Sequence, residues 1–342
     1  MQTPYKSEFF DPQINYKCMS PIPAPNINYD YLTIAKTTLT VPKIMDIQRG
    51  WYAHVTQGSN VIYQGIVTSV EQNKNITKVT CKPLLSLFDV QAYQDRTLIY
   101  SVSIEQFIET IIDNLYVNTT DNVQKIPGLK VTTKTETNGV KLNLKDNIHN
   151  LHDILVKSLE IANIVVDVTL YPQNKSIDVV IANYSEYPIR TIESDLKNII
   201  SRDFVLRDDY GIVNKIIIIN EDNEAEQATY YADDYAPPSV WEIDYISISD
   251  DETFADKAAE RAAEALAKKD FDNLIEISVK QDDKIVNNMS IGQKCKIIKN
   301  KTVYTSVLTG YEIKNNIITY IFGSIRMDLT KILETERRYI ND

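Results

Sequence analysis

Val61–Val79 reads VIYQGIVTSVEQNKNITKV, and Thr302–Tyr320 reads TVYTSVLTGYEIKNNIITY. The two stretches align without a gap at an offset of 241 residues, as from Tyr63 to Tyr304. Identities fall at Tyr63/Tyr304, Thr68/Thr309, Glu71/Glu312, Asn75/Asn316 and Ile76/Ile317. Ile62/Val303, Ile66/Val307 and Val67/Leu308 are conservative matches. Five identities in nineteen positions exceed the roughly one expected from average residue usage. A glycine precedes each block, Gly50 and Gly292, but at an offset of 242. Such self-similarity points to two like β units, one near each end of the chain. Two unrelated hairpins with similar turn chemistry are the alternative.

Around the first block the pattern is β. Tyr52, His54 and Thr56 alternate with Ala53, Val55 and Gln57. Gly58-Ser59-Asn60 and Asn73-Lys74-Asn75 read as turns bounding short apolar runs. Strands of this length with tight turns predict a small barrel or sandwich. Upstream lie Pro4, Pro12, Pro21, Pro23, Pro25 and Pro42. Pro21 to Pro25 must be extended, because each proline fixes φ and restrains its predecessor. It reads as a strap along a domain or a neighbouring subunit, or as an ordered loop.

Beyond the first block the period changes. Ser103 and Gln106 form a capping-box pattern ahead of Ile104, Phe107, Ile108, Ile111, Ile112 and Leu115 at helical spacing. A second helix is predicted from about Asn147, with Ile148, Leu151, Ile154, Leu155, Leu159 and Ala162 on one face. Residues 164–170 and 176–181 read as a strand pair around a Pro172–Lys175 turn. Strand texture returns from Ile192, with Lys215–Ile219 as a buried strand and Asn220–Glu226 as an exposed hairpin tip. A helix over about 252–270 carries Ala255, Ala258, Ala259, Ala262, Ala263 and Ala267, with Phe254 and Leu266. Asp250, Asp251 and Glu252 at its start and Lys268 and Lys269 at its end complement the helix dipole. Strands follow from Ile275 to Arg326, and Leu329–Arg338 reads as a short helix.

The expected fold is α+β, mostly β: two similar small β-barrel domains flank an α+β domain, with an additional Ala-rich helix in the C-terminal half. The expected divisions are 1–95 (N-terminal β-barrel with the Pro-rich strap), 96–190 (α+β), 191–330 (second β-barrel with helix 252–270) and 331–342 (helical tail).

Composition narrows the function. The 342 residues are 43% hydrophobic and 24% charged, enough apolar material for a sizeable core. Only 9 glycines occur, which disfavours glycine-loop nucleotide sites, and 21 tyrosines favour half-buried β surfaces. The net charge of −11 lacks the basic footprint of a nucleic-acid binder. No stretch is long and apolar enough for a membrane span, and no secretory signal is visible. Cys18, Cys81 and Cys295 are odd in number and far apart, so a disulfide framework is not expected.

Catalytic signals are thin. No Gly-x-Ser-x-Gly, Walker or His-Glu-x-x-His pattern occurs. His149 and His152, with Asp153, share a helix face, but no further metal ligand is marked by spacing. Cys81 and His54 could meet across the first barrel as a nucleophile pair, against the commoner packed cysteine. Asp208-Asp209, Asp233-Asp234, Asp250-Asp251 and Asp282-Asp283 fit solvated turns better than calcium loops. Tyr230, Tyr231, Tyr235 and Trp241 suit packing better than a sugar platform. No catalytic, cofactor-binding or metal residue is therefore assigned, and no cofactor is expected.

Taken together, the chain resembles the tail-hub (baseplate hub) proteins of tailed bacteriophages and prophages, in particular the prophage tail protein of Gram-positive hosts such as Listeria. The resemblance lies in Val41–Ile44, in Gly50 through Tyr63–Val67, and in Cys81–Phe88. It continues in Ala258–Lys268, Ile291-Gly292, Thr309–Tyr311 and Gly323–Arg326. It implies a structural, non-enzymatic tail-tip component. This would be a homotrimeric virion hub whose two barrels per chain adapt a sixfold tail tube to a threefold tip. It also implies a channel for passing DNA, and partners among the distal tail, tape-measure and tip or fibre proteins. Some relatives carry a peptidase or lysin domain beyond the hub. Asp342 follows Arg326 too closely to leave room for one, so none is expected here. A tail-associated endopeptidase or cell-wall hydrolase, or a receptor- or glycan-binding module, are the alternative readings.

Overall fold

The structure is a computed structural model that describes residues 4–93, 98, 101–138, 142, 144, 148–193, 199–206, 213–220, 223–231, 242–248, 254–266, 273–280 and 289–324. The first sheet contains β1 (Tyr5–Phe10), β2 (Tyr16–Ile22), β4 (Thr37–Val41), β5 (Tyr52–Gln57), β6 (Asn60–Asn73) and β7 (Ile76–Pro83). Its order is β2-β1-β5-β6-β7-β4, antiparallel throughout. It curls so that Asn26 bridges to Thr38 on β4, at the far edge. Inside are Phe9, Leu39, Val55, Tyr63, Val67 and Val79. Pro21 faces solvent on β2, an edge strand, where its missing N–H leaves no gap in the ladder.

The second sheet contains β13 (Arg190–Glu193), β14 (Ile199–Leu206), β18 (Asn273–Lys280), β19 (Lys294–Lys299), β20 (Thr302–Lys314) and β21 (Ile317–Phe322), ordered β13-β19-β20-β21-β18-β14. Within it the first sheet's meander recurs: β18, β19, β20 and β21 stand as β4, β5, β6 and β7 do. Ala53 pairs with Gly65 as Cys295 pairs with Ser306, and Val55 with Tyr63 as Ile297 with Tyr304. A bulge leaves out Thr68 between Val67 and Ser69, and another leaves out Thr309 between Leu308 and Gly310. Thr68 hydroxyl donates to Thr80 O at 3.1 Å, and Thr309 hydroxyl to Gly323 O at 2.7 Å, with Ile321 O a longer 3.3 Å away. Gly50 N–H donates to Val67 O, and Gly292 N–H to Leu308 O. The two glycines have φ of 85° and 83°.

The change of offset from 242 to 241 has a physical cause. Thr56 pairs with Val61 but Val55 with Tyr63, so Ile62 is an extra, bulged residue that the second unit lacks. Val303 therefore corresponds to Val61, not to Ile62 as the ungapped alignment has it. Their exposures, 54% for Val61 and 53% for Val303, agree. The units differ at the next strand out, since β1 runs antiparallel to β5 whereas β13 runs parallel to β19.

Between them lies an α+β module. Strands β11 (Ile164–Tyr171), β12 (Ser176–Asn183) and β9 (Leu129–Thr133) form a sheet in the order β11-β12-β9. Helices α1 (Ile104–Ile112) and α2 (Leu151–Ala162) supply Phe107, Ile108, Leu155 and Leu159 to the core. Ser103 caps α1 by accepting from Gln106 N–H at 3.2 Å, the expected contact. Glu105, fully buried, accepts from Thr137 N–H and from the Thr135 and Thr137 hydroxyls, which ties residues 135–137 to α1. The second helix begins later than the apolar spacing suggests. Asn150 is its cap, and Ile148 lies instead in β10 (Ile148–Asn150), 61% exposed and paired with Tyr93 of β8 (Gln91–Tyr93).

The Ala-rich helix α3 spans Phe254–Leu266. Ala258 and Ala262 press onto Ile216 and Ile218 of β15 (Val213–Asn220). That strand belongs to a separate sheet, ordered β16-β15-β17, with β16 (Asn223–Tyr231) and β17 (Glu242–Ile248). Its hairpin tip falls between Asn220 and Asn223. Residues 249–253, 267–272 and 325–342, including the helix-end charges and the expected closing helix, lie outside the described residues.

Asp11 organises the β1–β2 turn. It accepts from Gln13 N–H at 3.0 Å and Asn15 N–H at 2.8 Å, and pairs with Lys17 Nζ at 2.9 Å. Burial opposes ionisation, but the Lys17 and Asn15 contacts outweigh it and hold the carboxyl at about 2. A carboxylate depressed in the fold stabilises it above the unfolded value near ~4, and loses that contribution as pH falls through the folded value. Denaturant titrations of wild type and Asp11→Asn are therefore expected to differ in stability at pH 5 and to converge near pH 2.

Candidate functional site

The chain's structural focus is the seam where both sheets meet the central module. The strap continues into β3 (Ile27–Asp30), which adds antiparallel to the second half of β20, pairing Tyr29 with Tyr311 and Ile27 with Ile313. Those tyrosine rings stack at 5.2 Å with planes 3° apart. Through this addition Ile313 enters the first sheet's core, 4% exposed. At the tip of the β20–β21 hairpin, Tyr5 hydroxyl donates to Asn316 Oδ1 at 2.8 Å. The second unit's hairpin is thus seated on the first unit's curled sheet.

Tyr31, fully buried, joins three elements. Its N–H donates to Thr309 O at 3.0 Å, its carbonyl accepts from His152 Nε2 at 2.8 Å, and its hydroxyl accepts from Val166 N–H at 3.2 Å. Gln64 on β6 ties the first sheet to the edge of β11. Its Nε2 donates to Leu170 O at 2.7 Å, and its Oε1 accepts from Leu170 N–H at 2.9 Å. Beside these contacts opens a cavity of about 290 Å³ lined by Tyr29, Gln64, Asp167, Thr169, Tyr184 and Tyr311, among others. Desolvation raises the Asp167 carboxyl and pushes the Tyr29 and Tyr311 hydroxyls upward.

The candidates weighed from sequence are dispersed. His149 lies in β10 and His152 is buried, so they do not share a polar helix face. His152 is committed to Tyr31, His149 is half-buried, and Asp153 on α2 is exposed. Cys81 points into the first core, while His54, on the other face of β5 from Ala53 and Val55, lies 3.4 Å from Glu8. Burial lowers the His54 ring below its usual value and pushes the Cys81 and Cys295 thiols up to about 12. Tyr230 and Tyr231 face opposite sides of β16, with Tyr230 against the α3 core and Tyr231 51% exposed. Tyr235, Trp241 and the four acidic pairs lie outside the described residues. Among the described residues no group of three His, Cys, Asp or Glu could hold a metal ion, and no helix is long and apolar enough to cross a membrane.

Thiols held so high are poor nucleophiles at neutral pH. Alkylation of the native protein at pH 8 is expected to modify at most Cys18, which is partly exposed, and unfolding to release all three thiols. Rapid native labelling of Cys81 would contradict that packing.

Sequence reasoning missed Tyr31, Gln64 and Ile313, because each acts through a contact far away in the chain. The Asn75/Asn316 and Thr68/Thr309 identities touched this seam, since Asn316 bonds Tyr5 and Thr309 O accepts from Tyr31 N–H, but neither identity named its partner.

No protein-family profile matches the chain, and no curated protein sequence does. Solved structures do. The 43 kDa tail protein of prophage MuSo2 from Shewanella oneidensis aligns over 93% of this chain and 98% of its own, with 12% identity and a TM-score of 0.58. Prophage tail protein gp18 of Listeria monocytogenes EGD-e aligns over 98% and 100%, with 12% identity and a TM-score of 0.55. A chain of the phage P2 baseplate in its activated conformation aligns over 93% and 98%, with 12% identity and a TM-score of 0.52. The chain shares its fold with phage and prophage tail proteins, as the sequence resemblance implied, and that fold is mostly β with few helices.

Proposed function

We propose that this chain is a structural component of a phage or prophage tail tip, and that it works by holding two equivalent barrels at fixed positions. One observation carries the reading: a four-stranded unit recurs within one chain with the same order, threonine bulge and glycine turn, and with the same register apart from the bulged Ile62. Three such chains closing into a ring present six near-equivalent barrels outward while keeping threefold symmetry inward. Closed rings of this kind use heterologous, head-to-tail interfaces. The tail-protein fold supports the same assignment. Its neighbours would be other tail proteins, its place the virion, and its central channel the path of DNA. With a net charge of −11, the channel wall is proposed to be neutral to acidic, so that passing phosphates are repelled rather than held.

No catalysis is assigned, since the described thiols and imidazoles are packed or bonded structurally. The test is paired. Phage lacking the chain are expected to yield incomplete tails that the wild-type chain restores. The purified chain is expected to release neither peptides nor sugars from host cell wall. Release that a single substitution abolishes would overturn the structural reading in favour of a hydrolase.

A further inference from the structure

We propose that the β6–β7 hairpin is an assembly surface that receives the second sheet of another copy of this chain; the inference rests on the ring reading above. The chain already contains the equivalent contact. The β20–β21 hairpin is covered on its outer edge by β3, lodges Ile313 in the first barrel's core and bonds Tyr5 through Asn316. By register, Ser69–Asn73 of β6 corresponds to Gly310–Lys314 of β20. Yet Ser69–Asn73 has only β7 beside it among the described strands.

The exposures show what is missing. Gly310 and Ile313 are buried, whereas Ser69 and Gln72, their counterparts, are exposed. Asn316 is half-buried and bonded, whereas Asn75 is exposed. One hairpin is therefore seated on the other unit, whereas its twin carries only the chain's own 43–47 segment, through Gln72 Nε2 donating to Met45 O at 2.8 Å and Thr77 hydroxyl donating to Lys43 O at 2.9 Å, and leaves Ser69, Glu71 and Asn75 exposed. A second copy is the occupant that repeats the contact: in a head-to-tail ring each first barrel meets the second barrel of the next chain. Open strand edges invite extended segments. The free edge here is Ser-Val-Glu-Gln-Asn, with glutamine where the seated hairpin has isoleucine. Polar residues on an open edge keep it from pairing indiscriminately before assembly.

The experiment places a photo-cross-linking residue, p-benzoylphenylalanine, at Glu71 in the full chain, irradiates assembled tail particles and identifies the products by mass spectrometry. The expected product has twice the chain's mass and joins position 71 to a peptide containing residues of 190–193, 199–206, 273–280 or 289–324 of another copy. Products with a different tail protein, or none while three copies are present, would overturn this inference and leave the ring standing. Particles without multiple copies would overturn both. As a second measurement, Glu71→Lys and Asn75→Ala are expected to keep the monomer's melting temperature and to lower incorporation into tails at least about tenfold. Incorporation at the wild-type level would refute the surface.

Discussion

Replacing Tyr31 with alanine is expected to destabilise the chain by about 3–5 kcal/mol, the range for deleting a fully buried large aromatic side chain. The ring lies at the meeting of α2, β11 and the strap, with no exposed surface. Deleting it opens a cavity and leaves Val166 N–H without its acceptor. The backbone bonds to Thr309 and His152 survive the change in principle, but nothing then holds the segment at that depth. Tyr31→Phe separates the two effects. It keeps the packing, loses the hydroxyl, and is expected to cost about 1–2 kcal/mol. Chemical denaturation of both variants checks this, and near-equal losses would mean that packing around the ring contributes little.

Gly292→Ala is expected to cost about 2–5 kcal/mol and Gly50→Ala only about 1–2, although the two glycines occupy the same place in the repeat. Both have φ near +84°, a left-handed conformation that costs an L-residue roughly 1–2 kcal/mol. They differ in surroundings. A Cβ on Gly50 would meet nothing within 4 Å, whereas one on Gly292 would overlap Val165 Cγ2 in the central core. Overpacking of that kind adds about 1–3 kcal/mol. The pair is an internal control, because backbone strain is common to both and steric overlap belongs to one. Equal losses in thermal or denaturant unfolding would show that the second unit does not press on the central sheet as described.

What was legible in the sequence was local. Turn residues at Gly58-Ser59 and Asn73-Lys74-Asn75, alternation in β5, and the Ser103 cap each follow from a few neighbouring residues, and each lies where the pattern put it. The repeat was legible for the same reason, because two copies of one local pattern share their turn chemistry. The ungapped alignment still mispaired Ile62, since a bulge shifts register without changing the apolar texture. Ile148 was misplaced because helical spacing does not say where a helix begins; Asn150 decides that by accepting from His152 N–H at 2.8 Å.

The seam was illegible because its contacts are non-local. Asp30 pairs with Gly310, and Tyr31 reaches His152 and Val166. Tyr31 is one of 21 tyrosines, and nothing in its neighbours marks it. The strap's extended form was readable for Pro21 and Ile22, which end β2, but Pro23 and Ala24 form a bend instead of continuing it. That the strap hands the chain from the first sheet to the second was not readable, because a proline fixes φ but names no partner strand. Likewise the alanine face of α3 announced close packing, but not that its partner is a sheet of its own.

An asymmetric reconstruction of the tail particle that contains this chain tests the central claim most directly. The account predicts three copies at the tip, with the β4–β7 and β18–β21 units alternating around the axis at six near-equivalent positions. Two or six copies, or three copies whose two units lie at different radii and do not alternate, would contradict it.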